Sequence, residues 1–278
     1  MTADLERGKW GTRSIVSAWD LPSLKVRRLM RALRVRERRD ARLLEVGCGS
    51  GRILRSIRER DADLVLAGVD RDAVQIAAAR DEHAGLAISY ETADAERLPF
   101  GAGTFDIVIF LDYLEHTERP AVALAEMARV LEPGGLLHFV CPAEREALTP
   151  YRLSTLLFRR HFKEQTLGHI QQFTIADLER LTVAAGFTIV DVSYSYHALG
   201  ATMDYLLFAA LLHPRIARTY WEHDRYHATG REARPSLAGA ALNAALTIGN
   251  AVAFAESRLL GRVRAFASTV HVTARRHD

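Results

Sequence analysis

Residues Leu43–Leu54 read Leu-Leu-Glu-Val-Gly-Cys-Gly-Ser-Gly-Arg-Ile-Leu. Glycines at 47, 49 and 51 follow a short apolar run, and a helix-like pattern follows the glycines. Glycine allows the backbone to turn sharply and lets a ligand approach the main chain where a Cβ would collide. The free N–H groups at the start of the next helix point toward that turn. The stretch therefore predicts a strand, a tight turn and a helix that bind a nucleotide-type cofactor.

The glycine spacing and one acidic residue indicate which cofactor. The dinucleotide fingerprint is Gly-x-Gly-x-x-Gly, whereas this chain has Gly-x-Gly-x-Gly with Glu45 two residues before the first glycine. A carboxylate at that point would repel a pyrophosphate and suits a ligand with a cationic group. S-adenosylmethionine, which has a sulfonium and an amino group, fits this requirement.

Further motifs follow the glycine turn along the chain. An apolar run at 65–70 ends in Asp70, about 20 residues past the glycines, where doubly wound folds place a ribose-binding carboxylate. The others come in this order: an apolar segment at 87–91 leading to Asp94, a buried strand at 104–110, Leu-Asp-Tyr-Leu-Glu-His at 111–116, and Leu-Glu-Pro-Gly-Gly at 131–135 before an apolar run at 136–141.

This series resembles the class I S-adenosylmethionine-dependent methyltransferases, in particular the small-molecule branch that contains the quinone-biosynthesis enzymes. The resemblance covers roughly residues 40–195 and the last ten residues. It is specific for the fold and the cofactor and does not specify the acceptor. It implies an α/β, Rossmann-like, doubly wound seven-stranded sheet whose last strand is antiparallel.

The resemblance also implies roles for residues around the predicted cofactor. Gly47, Gly49 and Gly51 would pass under the methionine part, whose ammonium would interact with Glu45 and the Leu111 carbonyl. Asp70 would bind the ribose hydroxyls, and Arg71 would lie near the adenine. Asp94 and the Ala95 N–H would bind the adenine ring. Two structural alternatives stay open: Asp70 could cap the helix that starts near Asp72, and Asp94 could simply stabilise a turn.

Catalytic candidates lie in loops at the carboxyl ends of strands, where such folds bind ligands. Methyl transfer to a hydroxyl or an acidic carbon needs a base that removes a proton. His116 and His169 are the candidate bases, with the alternatives that His116 fixes its loop and that His169 caps the following helix. Asp112 and Tyr113 directly follow the fourth strand and are expected to face the pocket. The histidine spacings match no common metal signature, so no metal is expected.

The coarse pattern alternates strands and helices, which implies a parallel sheet covered on both faces. Strands are predicted near 42–47, 65–70, 87–92, 105–110, 136–141, 187–194 and 268–275, the last as an antiparallel edge strand; helices are predicted near 51–60, 72–82, 117–131 and 174–185. The expected organisation is an N-terminal helical segment at 1–40, a cofactor-binding core at 41–195 plus 267–278, and a C-terminal helical insertion at 196–266.

The insertion contains the apolar stretch 199–212, a polar aromatic link at 220–227 and an alanine-rich stretch at 237–255. Neither apolar stretch has the length and uniformity of a membrane span. A lid over the core, a peripheral membrane contact and a homodimer interface are the open alternatives. A basic, aromatic-rich segment at 151–163 occupies the position where quinone-pathway O-methyltransferases carry a membrane-contacting insertion.

Composition bounds the remaining functions. The 278 residues include two cysteines, which argues against a disulfide framework, and the N-terminus has no apolar signal sequence, so a cytoplasmic location is expected. Net charge is +3, but residues 25–42 form a predicted amphipathic helix with a basic face. That face could be solvated, contact an anionic membrane or bind nucleic acid; no aromatic residues alternate with the basic ones, so no nucleic-acid partner is expected.

The sequence therefore predicts an enzyme that transfers a methyl group from S-adenosylmethionine to O or C of a small, largely hydrophobic acceptor, such as a lipid, quinone or isoprenoid-like compound. Two other functions compete with it. One is a natural-product methyltransferase with a soluble acceptor, and the other is a methyltransferase-like binding subunit without activity. The acidic set Glu45, Asp70 and Asp94 argues against the inactive subunit, because loss of cofactor binding would release these positions.

Overall fold

The computed structural model describes residues 21–34, 39–158, 162–218 and 237–278. Much of the predicted N-terminal segment at 1–40, and the predicted link at 220–227, lie outside these ranges. Within them, no helix combines the length and apolar character that crossing a membrane requires.

One seven-stranded sheet forms the centre of the molecule, with strand order β3-β2-β1-β4-β5-β7-β6. The strands are β1 (Arg42–Val46), β2 (Val65–Asp70), β3 (Ile88–Thr92), β4 (Phe105–Leu111), β5 (Leu131–Pro142), β6 (Phe187–Ser195) and β7 (Thr269–Arg276). Strands β1 to β5 pair in parallel, and β7 is antiparallel to both of its neighbours. The predicted Rossmann-like sheet with an antiparallel last strand is confirmed.

The position of β7 corrects one expectation. The sequence analysis placed this strand at an edge of the sheet, but β7 lies between β5 and β6, and β6 is the edge strand. The burial of the two strands explains the arrangement: six consecutive residues of β7 are buried, whereas β6 has several exposed positions. A strand covered on both faces and paired on both sides suits the interior of a sheet.

Helices cover both faces of the sheet. They are α1 (Leu21–Leu33), α2 (Arg52–Arg58), α3 (Ala73–Glu82), α4 (Pro120–Val130), α5 (Pro150–Phe158), α6 (Phe162–Leu167), α7 (Ile175–Ala184), α8 (Ala198–Ala210) and α9 (Leu237–Leu259). On one face, Leu29 and Leu33 of α1 join a buried cluster with α2 and α3. On the other, α4 and α7 pack over the stacked rings of Phe110 and Phe139, whose centroids are 4.7 Å apart.

The C-terminal helices α8 and α9 are fastened to the core by polar contacts near the start of α8. Both carboxylate oxygens of Glu256 on α9 accept hydrogen bonds from the α8 backbone, from the N–H groups of Leu199 and Gly200 at 2.8 Å. Gly200 also allows close packing, because a Cβ there would lie 3.1 Å from the Ala253 Cβ. Ser257 Oγ accepts a hydrogen bond from the Tyr196 N–H at the end of β6. Two adjacent residues of α9, Glu256 and Ser257, thus hold the junction between β6 and α8.

Candidate functional site

The glycine turn between β1 and α2 is a close-approach point of the main chain. Gly47 and Gly51 have φ values of +73° and +77°, in the left-handed region that favours glycine. A Cβ on Gly47 would overlap the Tyr113 ring, and one on Gly51 would overlap the Tyr90 hydroxyl group. The Gly49 N–H donates a 2.8 Å hydrogen bond to Asp70 Oδ2. The predicted glycines therefore form a cradle whose walls leave no room for side chains.

Glu45 lies at the base of this cradle, next to the last residue of β1. Its side chain is 2% exposed, and its Oε2 atom is buried without a hydrogen-bond partner. Burial, reinforced by the charge of Asp70, raises the pKa of Glu45 well above its ordinary value. A buried carboxylate with an unsatisfied oxygen is costly unless a cation or donor pairs with it. The ammonium group of a methionine moiety is both a cation and a hydrogen-bond donor.

Asp70, the residue predicted to bind the ribose, lies at the carboxyl end of β2. Asp70 Oδ1 accepts from the Asp72 N–H at 2.9 Å while Oδ2 accepts from Gly49, so two backbone amides orient this carboxylate. Asp72, not Asp70, caps α3 by accepting from the Val74 N–H. Asp70 therefore does not cap α3, because Asp72 does. Both carboxylate oxygens of Asp70 keep lone pairs that can accept hydrogen bonds from ligand hydroxyls.

Asp94 combines a turn role with an exposed carboxylate. Its Oδ1 accepts from the Glu96 N–H at 2.9 Å, as the turn alternative anticipated, and its side chain is exposed. The adjacent Ala95 is buried in the core. Arg71 is exposed beside Asp70. These positions are compatible with the predicted adenine contacts, which remain predictions.

Tyr113 lies in the middle of these groups. Burial first, and then the charges of Asp70 and Asp94, raise the pKa of Tyr113 to about 12, with Arg71 acting in the opposite direction. Its ring packs against Gly47. Tyr113 is thus a wall of the cradle as well as a residue of the loop after β4.

Leu111 ends β4 and Asp112 directly follows it. Asp112 has φ of +51°, a left-handed conformation tolerated by aspartate, and its N–H donates to the Val140 carbonyl at 2.9 Å. Its carboxylate forms an ion pair with Lys25 of α1. This ion pair connects Asp112 to the N-terminal helix, and the pocket-facing role of Asp112 stays a prediction.

The two candidate bases are brought together by the loop before α7. The rings of His116 and His169 meet edge to face, with centroids 4.9 Å apart. His116 Nδ1 lies 3.2 Å from the Gly168 carbonyl oxygen, so His116 does fix this loop. His169 is buried, and its Nδ1 lies 3.1 Å from Glu144 Oε1. Thr174 and Asp177 form the capping box of α7, which leaves His169 without the capping role considered for it.

The residues present fit S-adenosylmethionine. The glycine cradle, which Cβ atoms would fill, leaves space for a ligand to approach the backbone. The buried Glu45 carboxylate has an unsatisfied oxygen that suits the ammonium group. The oriented Asp70 carboxylate at the end of β2 suits the ribose. A model of the methyltransferase domain family matches residues 44–139. Over these residues the core is similar to the methyltransferase domain family.

Relatives of this domain have named functions. A ubiquinone biosynthesis O-methyltransferase of Parvibaculum lavamentivorans is 32% identical over 103 residues, which are 37% of this chain and 41% of the relative. The chain thus matches about two fifths of the length of this curated relative. The domain also resembles two solved structures in fold: the [4+2]-cyclase SpnF (TM-score 0.60, 22% identity, 96% of this chain and 87% of that chain) and a geranyl diphosphate methyltransferase in complex with S-adenosylmethionine (TM-score 0.58, 14% identity, 92% and 86%).

Several charged residues beside the methyltransferase cradle were missed by the sequence analysis. Glu115 is buried, its Oε1 has no partner, and burial together with the charge of Asp112 raises its pKa well above the ordinary value. Behind His169, the Lys163 amine lies 3.3 Å from Glu144 Oε1 and 2.8 Å from Asp204 Oδ2. The signal for Glu144 was available, because it closely follows the end of β5 at the same sheet edge.

Glu115, His116 and His169 also form a group of potential metal ligands. One ligand atom from each lies within 4.8 Å of the others, and no second group of this kind occurs in the described part of the chain. A carboxylate with two imidazoles can bind several divalent transition metals. The expectation of no metal therefore stays a prediction, and this trio is the place at which it is tested.

Proposed function

We propose that the protein transfers a methyl group from S-adenosylmethionine to an oxygen or carbon atom of a small, hydrophobic acceptor of the lipid, quinone or isoprenoid type. The observation that carries the donor assignment is the buried, unsatisfied Oε2 of Glu45 below the glycine turn. Bound S-adenosylmethionine supplies an electrophilic methyl group on a positively charged sulfur. In the transfer its S–CH₃ bond breaks as a bond from the methyl carbon to the acceptor forms.

In this proposal the protein binds and orients the donor and the acceptor, and it removes a proton from the acceptor. Glu45 and Asp70 fix the donor, and the Tyr113 ring helps to exclude water from the cradle. For a hydroxyl acceptor, the imidazole of His169 takes the proton as the new C–O bond forms. Glu144 holds His169 Nδ1, which leaves the other ring nitrogen as the proton acceptor. Alignment of donor and acceptor supplies the rest of the rate enhancement.

The hydrophobic acceptor is supported by the similarity to a ubiquinone biosynthesis O-methyltransferase and by the molecule's surface. Leucines at 148, 153, 156 and 157 are 70%, 56%, 61% and 63% exposed, on α5 and the segment before it. Adjacent exposed leucines of this size are typical of a partner or membrane contact. We therefore add to the proposal that α5 docks on the surface of a membrane that holds the acceptor, from a cytoplasmic location.

Other functions remain in competition with this one. The fold alone does not determine the reaction, since the fold neighbour SpnF is a [4+2]-cyclase. A natural-product methyltransferase with a soluble acceptor would use α8 and α9 as a lid, and an inactive relative would bind without catalysis. A homodimer through α8 and α9 is a further proposal.

Calorimetry with S-adenosylmethionine tests the donor assignment. Asp70→Asn should weaken binding by about tenfold or more, because a charge-assisted hydrogen bond to ribose is lost. Asp81→Asn, an exposed change on α3 with the same loss of charge, should leave binding unchanged. Equal affinity in the wild-type protein and Asp70→Asn would refute the assignment.

Methyl transfer is then measured with labelled donor and two acceptors, a prenylated catechol and its unprenylated counterpart. Faster methylation of the prenylated acceptor supports the proposal. Preference for the unprenylated acceptor supports the soluble natural-product alternative. Tight donor binding with no transfer to either acceptor would favour the binding subunit.

A further inference from the structure

A second cavity lies on the α1 face of the sheet, away from the methyltransferase cradle. Its volume is about 740 Å³, and α1, α9 and strands β5, β6 and β7 form its walls. None of the residues assigned above to the donor or to proton transfer lines it. His138 and His271, which belong to its floor, lie on β5 and β7.

Positive charge dominates the lining of this cavity. Among the residues that the structure describes, six arginines contribute to it and Asp191 is the one acidic lining residue; the arginines are Arg27, Arg28, Arg31, Arg258, Arg262 and Arg275. We call it the arginine cavity. Asp191 is already paired, since Arg262 Nη1 donates to its Oδ1 at 2.6 Å. Among the described lining residues, the guanidinium groups therefore outnumber the carboxylates by six to one.

Arg28 is the most enclosed of these groups. Its Nη2 donates to the Ser257 carbonyl at 2.9 Å, but its Nη1 atom is buried and has no partner. Burial, with the nearby charges of Arg31 and Arg262, lowers the pKa of Arg28 to about 10. Crowded guanidinium groups repel one another, and a buried unpaired donor is costly. Both costs disappear when an anion enters the cavity.

The two histidines on the floor add further unsatisfied polar atoms. His138 Nδ1 lies 2.9 Å from Thr273 Oγ1 and its Nε2 has no partner; His271 Nε2 lies 2.8 Å from Ser195 Oγ and its Nδ1 has no partner. Burial lowers the pKa of His138 to about 4 and that of His271 well below its ordinary value. Both rings are thus neutral near pH 7, and the arginines carry the positive charge.

We propose that the arginine cavity binds a small phosphorylated anion, a phosphate or diphosphate ester. Planar guanidinium groups pair with phosphate oxygens by two parallel hydrogen bonds, and several arginines match a multiply charged ligand. The volume falls within the range of about 300–1,000 Å³ typical of small-molecule sites. The ring of Phe254, which lies under the guanidinium carbons of Arg27 and Arg258 at 5.8 and 5.9 Å, provides an apolar wall for the ester's organic part.

Calorimetry with inorganic pyrophosphate at constant ionic strength tests this proposal. The wild-type protein should bind one pyrophosphate, and Arg28→Gln and Arg31→Gln should each weaken binding by about tenfold or more. The control is Arg180→Gln, which removes the same charge from an exposed side chain on α7, and it should change affinity by less than about twofold. Arg31 is exposed at the rim, so its variant remains informative if Arg28→Gln fails to fold.

The source of the phosphate is distinguished by two further ligands. Dihexanoyl phosphatidic acid, below its micelle concentration, and glycerol 3-phosphate are each titrated in competition with pyrophosphate. Tighter binding of phosphatidic acid identifies a lipid headgroup, and equal or tighter binding of glycerol 3-phosphate identifies a water-soluble phosphoester. The proposal is overturned if none of the three anions binds, or if Arg31→Gln binds pyrophosphate as tightly as Arg180→Gln.

Discussion

At the scale of single residues, Glu45 makes donor binding dependent on pH. Burial raises its pKa in the free protein. A bound ammonium favours the ionised carboxylate and lowers that pKa again. Between the two pKa values, binding therefore releases a proton, and affinity for S-adenosylmethionine should rise with pH. Calorimetry in buffers of different ionisation enthalpy measures the released proton directly.

Glu45→Gln separates this effect from the titration of the ligand's own amino group. The variant should bind S-adenosylmethionine about tenfold or more weakly and should release fewer protons than the wild-type protein. Below its own pKa the ligand's amino group is protonated both before and after binding, so at such pH values it cancels in the comparison. Unchanged proton release in Glu45→Gln would show that Glu45 does not face the ammonium.

At the scale of elements, Glu256 stabilises the first turn of α8. Its carboxylate accepts from two N–H groups of the first turn of α8, where the helix dipole also favours negative charge. Glu256→Ala should lower the free energy of unfolding by roughly 1–2 kcal/mol, in line with the loss of helix caps. Urea denaturation measures the loss, and hydrogen exchange should show faster opening of α8.

Asp81→Ala is the matched control for this loss of charge, since Asp81 is exposed within α3. Its effect on unfolding should stay within about 0.5 kcal/mol. Equal destabilisation by the two variants would mean that Glu256 acts through net charge and not through its bonds to α8.

Elements were predictable from sequence where the signal is local. The strand before Gly47 and the helix predicted near 174–185 follow from short patterns of residue type, whereas the cap of α3 is Asp72 and not Asp70, which the sequence analysis had considered. The contacts of Lys163 with Glu144 and Asp204 were not predictable, because charges distant in sequence can pair in many ways. The position of β7 was missed for a related reason: an apolar strand pattern reports burial but not which neighbours it pairs with.

The basic helix shows the same limit. Sequence periodicity correctly indicated an amphipathic helix whose Leu29 and Leu33 pack on the core, but the predicted range of 25–42 is too long, because α1 ends at Leu33 and Arg42 begins β1. It offered a solvated face, a membrane or a nucleic acid for the basic residues. The structure adds an arrangement that the sequence did not offer, in which Arg28 and the exposed Arg31 line a cavity shared with α9. That cavity depends on how distant elements pack, which no pattern within α1 specifies.

At the scale of the whole molecule, the exposed leucines of α5 predict membrane docking. The wild-type protein should float with anionic lipid vesicles. Leu156→Ser with Leu157→Ser should reduce binding by about tenfold or more, because burial of exposed leucine in lipid contributes about 1.5–3 kcal/mol for each side chain. A pair of exposed valines on other helices, changed as Val74→Ser with Val183→Ser, provides the control. Absence of wild-type flotation would refute docking.

The insertion of β7 between β5 and β6 has a consequence for the order of events during synthesis. Thr273 of β7 contacts His138 of β5 although the two residues are 135 positions apart in the chain. Until residues 269–276 have left the ribosome, β5 and β6 cannot acquire their shared neighbour, and each presents unpaired backbone groups. Such distant pairings also form slowly. The nascent chain can thus form the cradle of β1, β2 and β4 early, while completion of its sheet waits for one late strand.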